Sequence, residues 1–296
     1  MNDYKNHPLA GAVNIDSAMT KLWDFYKKYF PGMYVISVVL ALLTSLASAG
    51  IDTSMLQSAY DPEEMLQLMK GMAGPYLLVM LISLVFGVIL HAWVLDRPMG
   101  EQGFPVILIR KTAISLIPFL LVMIVLMTIG VIMIALGLVL LVLPGFFAMF
   151  YIATVAMFAL PLTLTESRNP AHVLTRSFTL AHRNLWPNMG WVIVVMLIVL
   201  VISLVIGAII MIPFSGSFIR SIGNPEEVTA ILEINSNPLY IALSALTTSL
   251  VTPVFPILAF ILYFRNRNEE PEQEAAEVND EGLKVEDLYP RNPEDQ

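Results

Sequence analysis

Long apolar stretches separated by short polar segments dominate this sequence. A helix needs about 20 mostly apolar residues to cross roughly 30 Å of hydrocarbon. Four stretches are long enough for one crossing each, and the uncharged run from Thr112 to Thr165 is long enough for two. Pro144-Gly145 interrupts that run and predicts a tight turn, while Pro253 and Pro256 predict a kink in the last span. The predicted spans are 32–50, 75–95, 119–142, 146–165, 188–212 and 239–264.

A shorter segment precedes the first, third and fifth spans and ends at Pro31, Pro118 and Pro187, respectively. As a helix, each of these segments would have one apolar face and one basic face. Before the fifth span, the apolar stripe consists of Leu174, Phe178, Ala181 and Leu185. The opposed polar stripe consists of His172, Arg176, Thr179 and Arg183. A helix with two such faces is typical of the headgroup layer of a membrane. The sequence therefore predicts an all-α, polytopic membrane protein with six transmembrane helices in three hairpins, each preceded by a cytosolic amphipathic interfacial helix.

The distribution of lysine and arginine predicts the orientation of the chain. The segments on the side of the termini (1–31, 96–118, 166–187 and 265–296) hold 14 basic residues, and the opposite loops hold 2. Because basic residues are retained on the cytoplasmic side, both termini are predicted to be cytoplasmic. An alternative is a cleaved secretory signal ending at Ala47-Ser48-Ala49. We interpret that stretch as an uncleaved first span.

The composition excludes several classes of protein. Hydrophobic residues make up 57% of the chain and charged residues only 14%, against about 25% charged in soluble domains. This composition argues against a soluble enzyme and against a nucleic-acid partner. The net charge of −8 belongs to the end of the chain, because residues 268–296 hold 11 acidic and 2 basic residues. We predict a cytosolic N-terminal amphipathic segment (1–31), a six-span domain (32–264) and an acidic, disordered cytosolic tail (265–296).

The tail also contains a short apolar group in an acidic background, from Leu283 to Tyr289. Such a segment is a candidate docking site for a soluble protein. A plain solubilising tail is the simpler interpretation.

Motifs that carry catalysis or bind metals are absent from the sequence. It has no cysteine, no HExxH, no Gly-x-Ser-x-Gly and no phosphate-binding loop. His91 is the one ionisable residue inside a predicted span, which argues against a proton relay. We therefore predict a non-enzymatic protein with no catalytic residue, no cofactor and no metal site.

Basic residues between the fourth and fifth spans form the one candidate site. Its members are Arg168, His172, Arg176 and Arg183. Arginine binds phosphate groups with two parallel hydrogen bonds, and anionic lipids attract basic residues near the membrane surface. We predict a contact site for an anionic lipid headgroup or a partner, with nonspecific attraction to lipid as the alternative.

Small residues recur at four-residue spacing on the first span, at Ser37, Ala41, Ser45 and Ala49. Small faces let membrane helices pack closely. We predict a packing seam here, and only weakly a path for a substrate.

The candidate site also lies in a recurring pattern. Leu160–Glu166 ends a span, Arg176-Ser177-Phe178 lies in the following helix, and Arg183–Trp186 leads into the next span, with Leu141–Gly145 upstream. Over residues 105–265 the chain resembles a poorly characterised multi-pass family related to the membrane domain of bacterial glycerophosphoryl diester phosphodiesterases. The resemblance implies a polytopic helical fold in the bacterial inner membrane. It does not imply phosphodiesterase activity, which belongs to a separate soluble domain.

These observations favour an integral inner-membrane scaffold or accessory factor. Its cytosolic amphipathic helices would engage membrane lipids, with anionic headgroups preferred, or protein partners. The alternative is a transporter or flippase-like protein for an apolar or lipidic solute. A filled bundle core would favour the scaffold, and a hydrophilic or lipid-sized cavity open to one side would favour transport.

Overall fold

The computed structural model describes residues 4–12, 14–48, 62–100, 104–140, 142–215 and 237–268, and all regular secondary structure in them is helical. The α-helices are α1 (Ile15–Ser48), α2 (Pro62–Asp96), α3 (Phe104–Leu140), α4 (Val142–Thr165), α5 (Pro170–Arg183), α6 (Leu185–Met211), α7 (Pro238–Val251) and α8 (Val254–Asn268). Six segments are long and apolar enough to cross a membrane, with α7 and α8 together forming the sixth. The prediction of an all-α chain with six candidate membrane spans is confirmed.

The first two predicted interfacial helices are continuous with the spans that follow them. Helix α1 passes unbroken through Pro31, and α3 passes through Pro118, so the helix ends predicted at these prolines are wrong. Helices of 34 and 37 residues measure about 50–55 Å at 1.5 Å per residue, well beyond roughly 30 Å of hydrocarbon. A proline removes one backbone hydrogen bond, and membrane helices tolerate that loss. The polar turns therefore extend from the apolar ones as parts of the same two helices.

The connection between α3 and α4 is tighter than predicted. Helix α3 ends at Leu140 and α4 begins at Val142, so Pro144-Gly145 lies in the first turns of α4 rather than in the connection. Proline is accepted there because the first amides of a helix have no intrahelical partner. Gly145 instead allows α3 and α4 to approach each other closely. A Cβ atom on Gly137 would lie only 2.7 Å from the Cα atom of Gly145.

The sixth span is interrupted near Pro253, one of the two prolines that predicted a kink. Thr252 and Pro253 separate α7 from α8. The Tyr26 hydroxyl of α1 donates a hydrogen bond of 2.7 Å to the carbonyl oxygen of Leu250, directly before the break. Irregular backbone at membrane depth needs such partners inside the protein, because hydrocarbon offers none.

Helix α8 lies at the centre of the fold, with every residue from Pro256 to Phe264 buried. It contacts α1, α2, α4 and α5. The N-terminal segment 4–12 packs on it, with Leu9 fully buried and the His7 ring centred 5.0 Å from the Phe264 ring. Part of the segment predicted to be a cytosolic amphipathic segment is thus a strap of short turns, beginning with the 3-10 helix Tyr4–Asn6, that packs against the bundle.

His7 holds this strap in place. One ring nitrogen, Nε2, lies 3.2 Å from the carbonyl oxygen of Val94, and Nδ1 accepts a hydrogen bond from the Leu9 amide. These partners require a neutral ring with its proton on Nε2. Burial lowers the pKa of His7 from 6.5 to about 4.

We expect the strap to loosen in mild acid. The folded protein binds the His7 proton less readily than the unfolded chain, so stability is complete above pH 6.5 and is lost progressively towards pH 4. Between pH 7 and pH 5 the loss amounts to about 2 kcal/mol. Hydrogen exchange at the Leu9 amide should accelerate at pH 5 relative to the intrinsic rate. A His7→Gln variant should not share that pH dependence, and equal dependence in both proteins would contradict this role of His7.

Candidate functional site

Helix α5 packs against the bundle with a face that shares only Ala181 with the predicted apolar stripe. The Asn169 side chain caps its first turn by accepting a hydrogen bond of 3.0 Å from the Ala171 amide. Its buried residues are Val173, Ser177, Leu180 and Ala181. This face lies between the two predicted stripes, so Leu174 and Phe178 are only half-buried. Ser177 can be buried because its hydroxyl donates to the Val173 carbonyl at 2.8 Å.

Helix α5 also runs back along α4. The Tyr151 hydroxyl of α4 lies 3.3 Å from Nε2 of His182, near the C-terminal end of α5. The Phe147 and Trp186 rings are centred 5.8 Å apart, just beyond that end. The two helices are therefore antiparallel neighbours.

The structure divides the four predicted contact residues into two pairs. Arg168, in the turn between α4 and α5, and His172, in the first turn of α5, are exposed. Arg176 and Arg183 are partly buried and face the bundle. The Nε atom of Arg176 lies 3.5 Å from Glu166, and Arg183 donates to the Asn266 carbonyl at 3.1 Å.

Glu166 lies at the centre of a cluster that joins α4, α5 and α8. We define the Glu166 cluster as Glu166, Arg176, Tyr263 and Arg267. The Tyr263 hydroxyl donates to Glu166 at 2.8 Å, and Nε of Arg267 lies 3.9 Å from the same carboxylate oxygen. Arg267 also donates to the Tyr263 hydroxyl at 3.1 Å. Two guanidinium groups around one carboxylate give the cluster a net positive charge.

A pair of buried amides lies next to this cluster. Asn188 of α6 and Asn266 of α8 are both fully buried and exchange hydrogen bonds of 2.9 and 3.2 Å. Asn184 donates to the same Asn266 oxygen at 3.2 Å. Asn266 was predicted to lie in the tail, but residues 265–268 form the last turn of α8. The buried side of α8 continues beyond its last apolar residue to the Asn266 amide, and this continuation was the signal in the sequence.

A buried ion pair links α2 to α3. Lys111 lies 2.5 Å from Asp96, a carboxylate that is 1% exposed. From the sequence, Lys111 was counted only among the basic residues that predict the orientation of the chain. Among the described residues, no group of three or more metal-ligating side chains is assembled. The predicted absence of cofactor, metal and catalysis stays a prediction.

A groove lies between α1, α2 and α7, with a volume of about 350 Å³. We call it the hydroxyl groove, because its polar lining consists of Ser37, Thr44, Ser45, Ser83, Ser244, Thr248 and Thr252. Ser37, Ala41 and Ser45 belong to the small stripe that was predicted to be a packing seam. The structure places them along this groove, on the side of α1 where it also packs against α2 and α7, so the packing seam stays a prediction. The fourth member, Ala49, lies outside the described residues.

No protein-family model matches this chain, and no curated protein or solved structure shows significant similarity to it. The resemblance to the membrane family of the phosphodiesterases therefore stays a prediction.

Proposed function

We propose that the chain is a non-enzymatic scaffold or accessory factor of the bacterial inner membrane, with both termini in the cytosol. It engages anionic lipid headgroups where α4 turns into α5. One observation carries the proposal: the Glu166 cluster and Asn266 hold Arg176 and Arg183 inside, while Arg168 and His172 are exposed at the same turn. Arg176 and Arg183 hold α5 against the bundle, whereas Arg168 and His172 are free to contact the membrane surface.

The geometry changes which residues we assign to the headgroup contact. A guanidinium beside Glu166 is already partly neutralised, so Arg176 contributes less to the attraction of an anion than Arg168 does. The acidic tail as a docking site for a soluble protein remains part of the proposal. Residues 269–296 lie outside the described residues.

We expect Arg168→Glu to lower the amount of anionic lipid that co-purifies with the protein. Each basic residue near an anionic leaflet contributes about 1 kcal/mol of attraction, so charge reversal should reduce lipid retention several-fold. Arg176→Glu should instead reduce thermal stability, because it places a second carboxylate beside Glu166.

The control is Lys70→Glu, which makes the same charge change at an exposed residue of α2 on the predicted opposite side. Anionic lipid per protein is measured after gentle purification, together with the melting temperature. Equal lipid loss in Arg168→Glu and Lys70→Glu would show that only the net charge of the protein matters, and it would contradict the headgroup contact.

The hydroxyl groove favours a second candidate function, a transporter or flippase-like protein for a lipidic solute. A polar groove beside membrane spans offers a lipid headgroup region an environment that hydrocarbon does not. Movement of a labelled lipid across vesicles that contain the protein, faster than across protein-free vesicles, would support this candidate over the scaffold.

A further inference from the structure

The C-terminal end of helix α8 lies in an excess of positive charge. The residues that meet there belong to two segments, 166–187 and 265–268, which hold five arginines and a single carboxylate, that of Glu166. Contacts join the two segments: Nε of Arg267 lies 3.9 Å from Glu166, and Arg183 donates to a backbone carbonyl of α8 at 3.1 Å. One carboxylate cannot neutralise five guanidinium groups, so this end of the bundle attracts negative charge.

Part of this positive charge is accessible from outside. Arg168 and His172 are exposed, and the side chains of Arg176 and Arg267 are 24% and 28% exposed. We call these four residues the basic turn. Because Arg176 and Arg267 share the negative charge of Glu166, most of the attraction for an anion falls on Arg168.

The most acidic segment of the chain begins at the same place. Helix α8 and the described part of the chain end at the exposed Asn268, directly after Arg267. The next nine residues, 269–277, hold five glutamates and no basic residue. An extended chain covers about 3.3–3.6 Å per residue, so these nine residues can span about 30 Å. Arg267 contacts Glu166, and Arg168 follows Glu166 by two positions, so the basic turn lies within reach of this segment.

The attachment of the segment to α8 favours the contact, although each ion pair is weak. An exposed ion pair contributes little to stability and is screened by salt. A segment that is tethered next to its binding site is present there at an effective concentration in the millimolar range. A soluble acidic protein at micromolar concentration lacks this advantage, so the chain's own glutamates are the favoured occupant of the basic turn.

We propose that residues 269–277 fold back onto the basic turn of their own chain and cover Arg168 and His172 when no anionic lipid binds there. The glutamates then neutralise the charge that attracts lipid, so the segment and a lipid headgroup compete for the same arginine. This competition rests on the proposed headgroup contact, whereas the contact between the segment and the basic turn does not.

Disulfide cross-linking tests the contact directly, because the chain has no cysteine of its own. One cysteine replaces Gln273, and a second replaces Ala171, an exposed residue in the first turn of α5. The matched control places the second cysteine at Thr20, an exposed residue of α1 one helical turn from both Asp16 and Asp24. In the full-length, monodisperse protein at low salt, Ala171→Cys/Gln273→Cys should form a disulfide within one chain several-fold faster than Thr20→Cys/Gln273→Cys.

The rate of cross-linking should depend on charge. Replacing the five glutamates of 269–277 by glutamine keeps their size and should slow the Ala171→Cys/Gln273→Cys disulfide to the rate of the control pair. About 1 M salt should have the same effect, because the Debye length then falls to about 3 Å. Equal rates for the two cysteine pairs, or no effect of the glutamine replacements, would overturn the contact. Disulfides that form only between two chains would assign the segment to a second copy and would also overturn it.

A comparison of two lipids separates this proposal from the headgroup contact. In phosphatidylcholine nanodiscs the Ala171→Cys/Gln273→Cys disulfide should form fast, and phosphatidylglycerol in the nanodisc should slow it by binding Arg168. Equal rates in the two kinds of nanodisc would overturn the competition, and with it the headgroup contact, but would keep the contact of the segment. The failure of one proposal is therefore not mistaken for the failure of the other.

Discussion

Replacing Gly137 by alanine should separate α3 from α4 at their connection and lower the melting temperature of the protein. The added Cβ atom would lie 2.7 Å from the Cα and N atoms of Gly145, and backbone atoms cannot rotate away as side-chain atoms can. Overpacking of this kind typically costs about 1–3 kcal/mol. Here the clash is with the backbone of the first turns of α4, at Pro144 and Gly145, so we expect the upper end of that range.

Two other glycines make this prediction specific. In Gly145→Ala the new atom would meet the Leu138 side chain at 2.6 Å, which can partly move, so the loss should be smaller. Gly207→Ala meets no atom within 4 Å and should be neutral or slightly stabilising, because alanine favours helix over glycine. Melting temperatures in one detergent rank the three variants. A Gly137→Ala protein as stable as Gly207→Ala would contradict the close approach of α3 and α4.

Replacing Asn266 by leucine should also destabilise the protein strongly. The change keeps a similar side-chain size but removes the amide that donates to the Asn188 side-chain oxygen, while the Asn188 nitrogen keeps its bonds to the carbonyls of Leu180 and Ala181. A buried polar atom that loses its hydrogen bond costs about 1–3 kcal/mol, so we expect a loss of that size.

The double variant Asn188→Leu/Asn266→Leu separates hydrogen bonding from packing. Because both amides are removed together, neither is left buried without the other. The double variant should therefore lose less stability than the sum of the losses in the two single variants. Thr179→Ala on α5 is the control, since that exposed hydroxyl bonds only to the Thr175 carbonyl in the described residues. Additive losses in the double variant would show that the two amides do not act as a pair.

The membrane spans could be predicted from the sequence because the thickness of hydrocarbon fixes how many apolar residues a crossing needs. Five apolar runs gave six predicted crossings, and six helical segments are long enough for a crossing in the structure. The ends of the helices could not be predicted in the same way. Pro31 and Pro118 disfavour a helix locally, but a long helix loses only one hydrogen bond at each and keeps the rest.

The candidate site was predicted less completely, for reasons of distance along the chain. Arg176 and Arg183 lie on one helix, as predicted, but the partner of Arg183, Asn266, is set by how α8 packs on α5. Glu166 meets Arg176 because α5 folds back along the end of α4. Asn188 and Asn266 are 78 residues apart, and no local pattern pairs them. The small stripe of α1 has the same spacing whether or not a groove runs beside it, so the groove between α1, α2 and α7 could not be predicted from the stripe.

We propose that the chain crosses the membrane six times with both ends in the cytosol, and reporter fusions test this topology. A phosphatase that is active only outside the cytosol should be inactive when fused after Gln296 and active when inserted near Ser58, and a fluorescent protein that matures only in the cytosol should give the opposite pattern. Phosphatase activity after Gln296 would contradict the six crossings. A mature protein beginning at Gly50 would show instead that the first span is a cleaved signal.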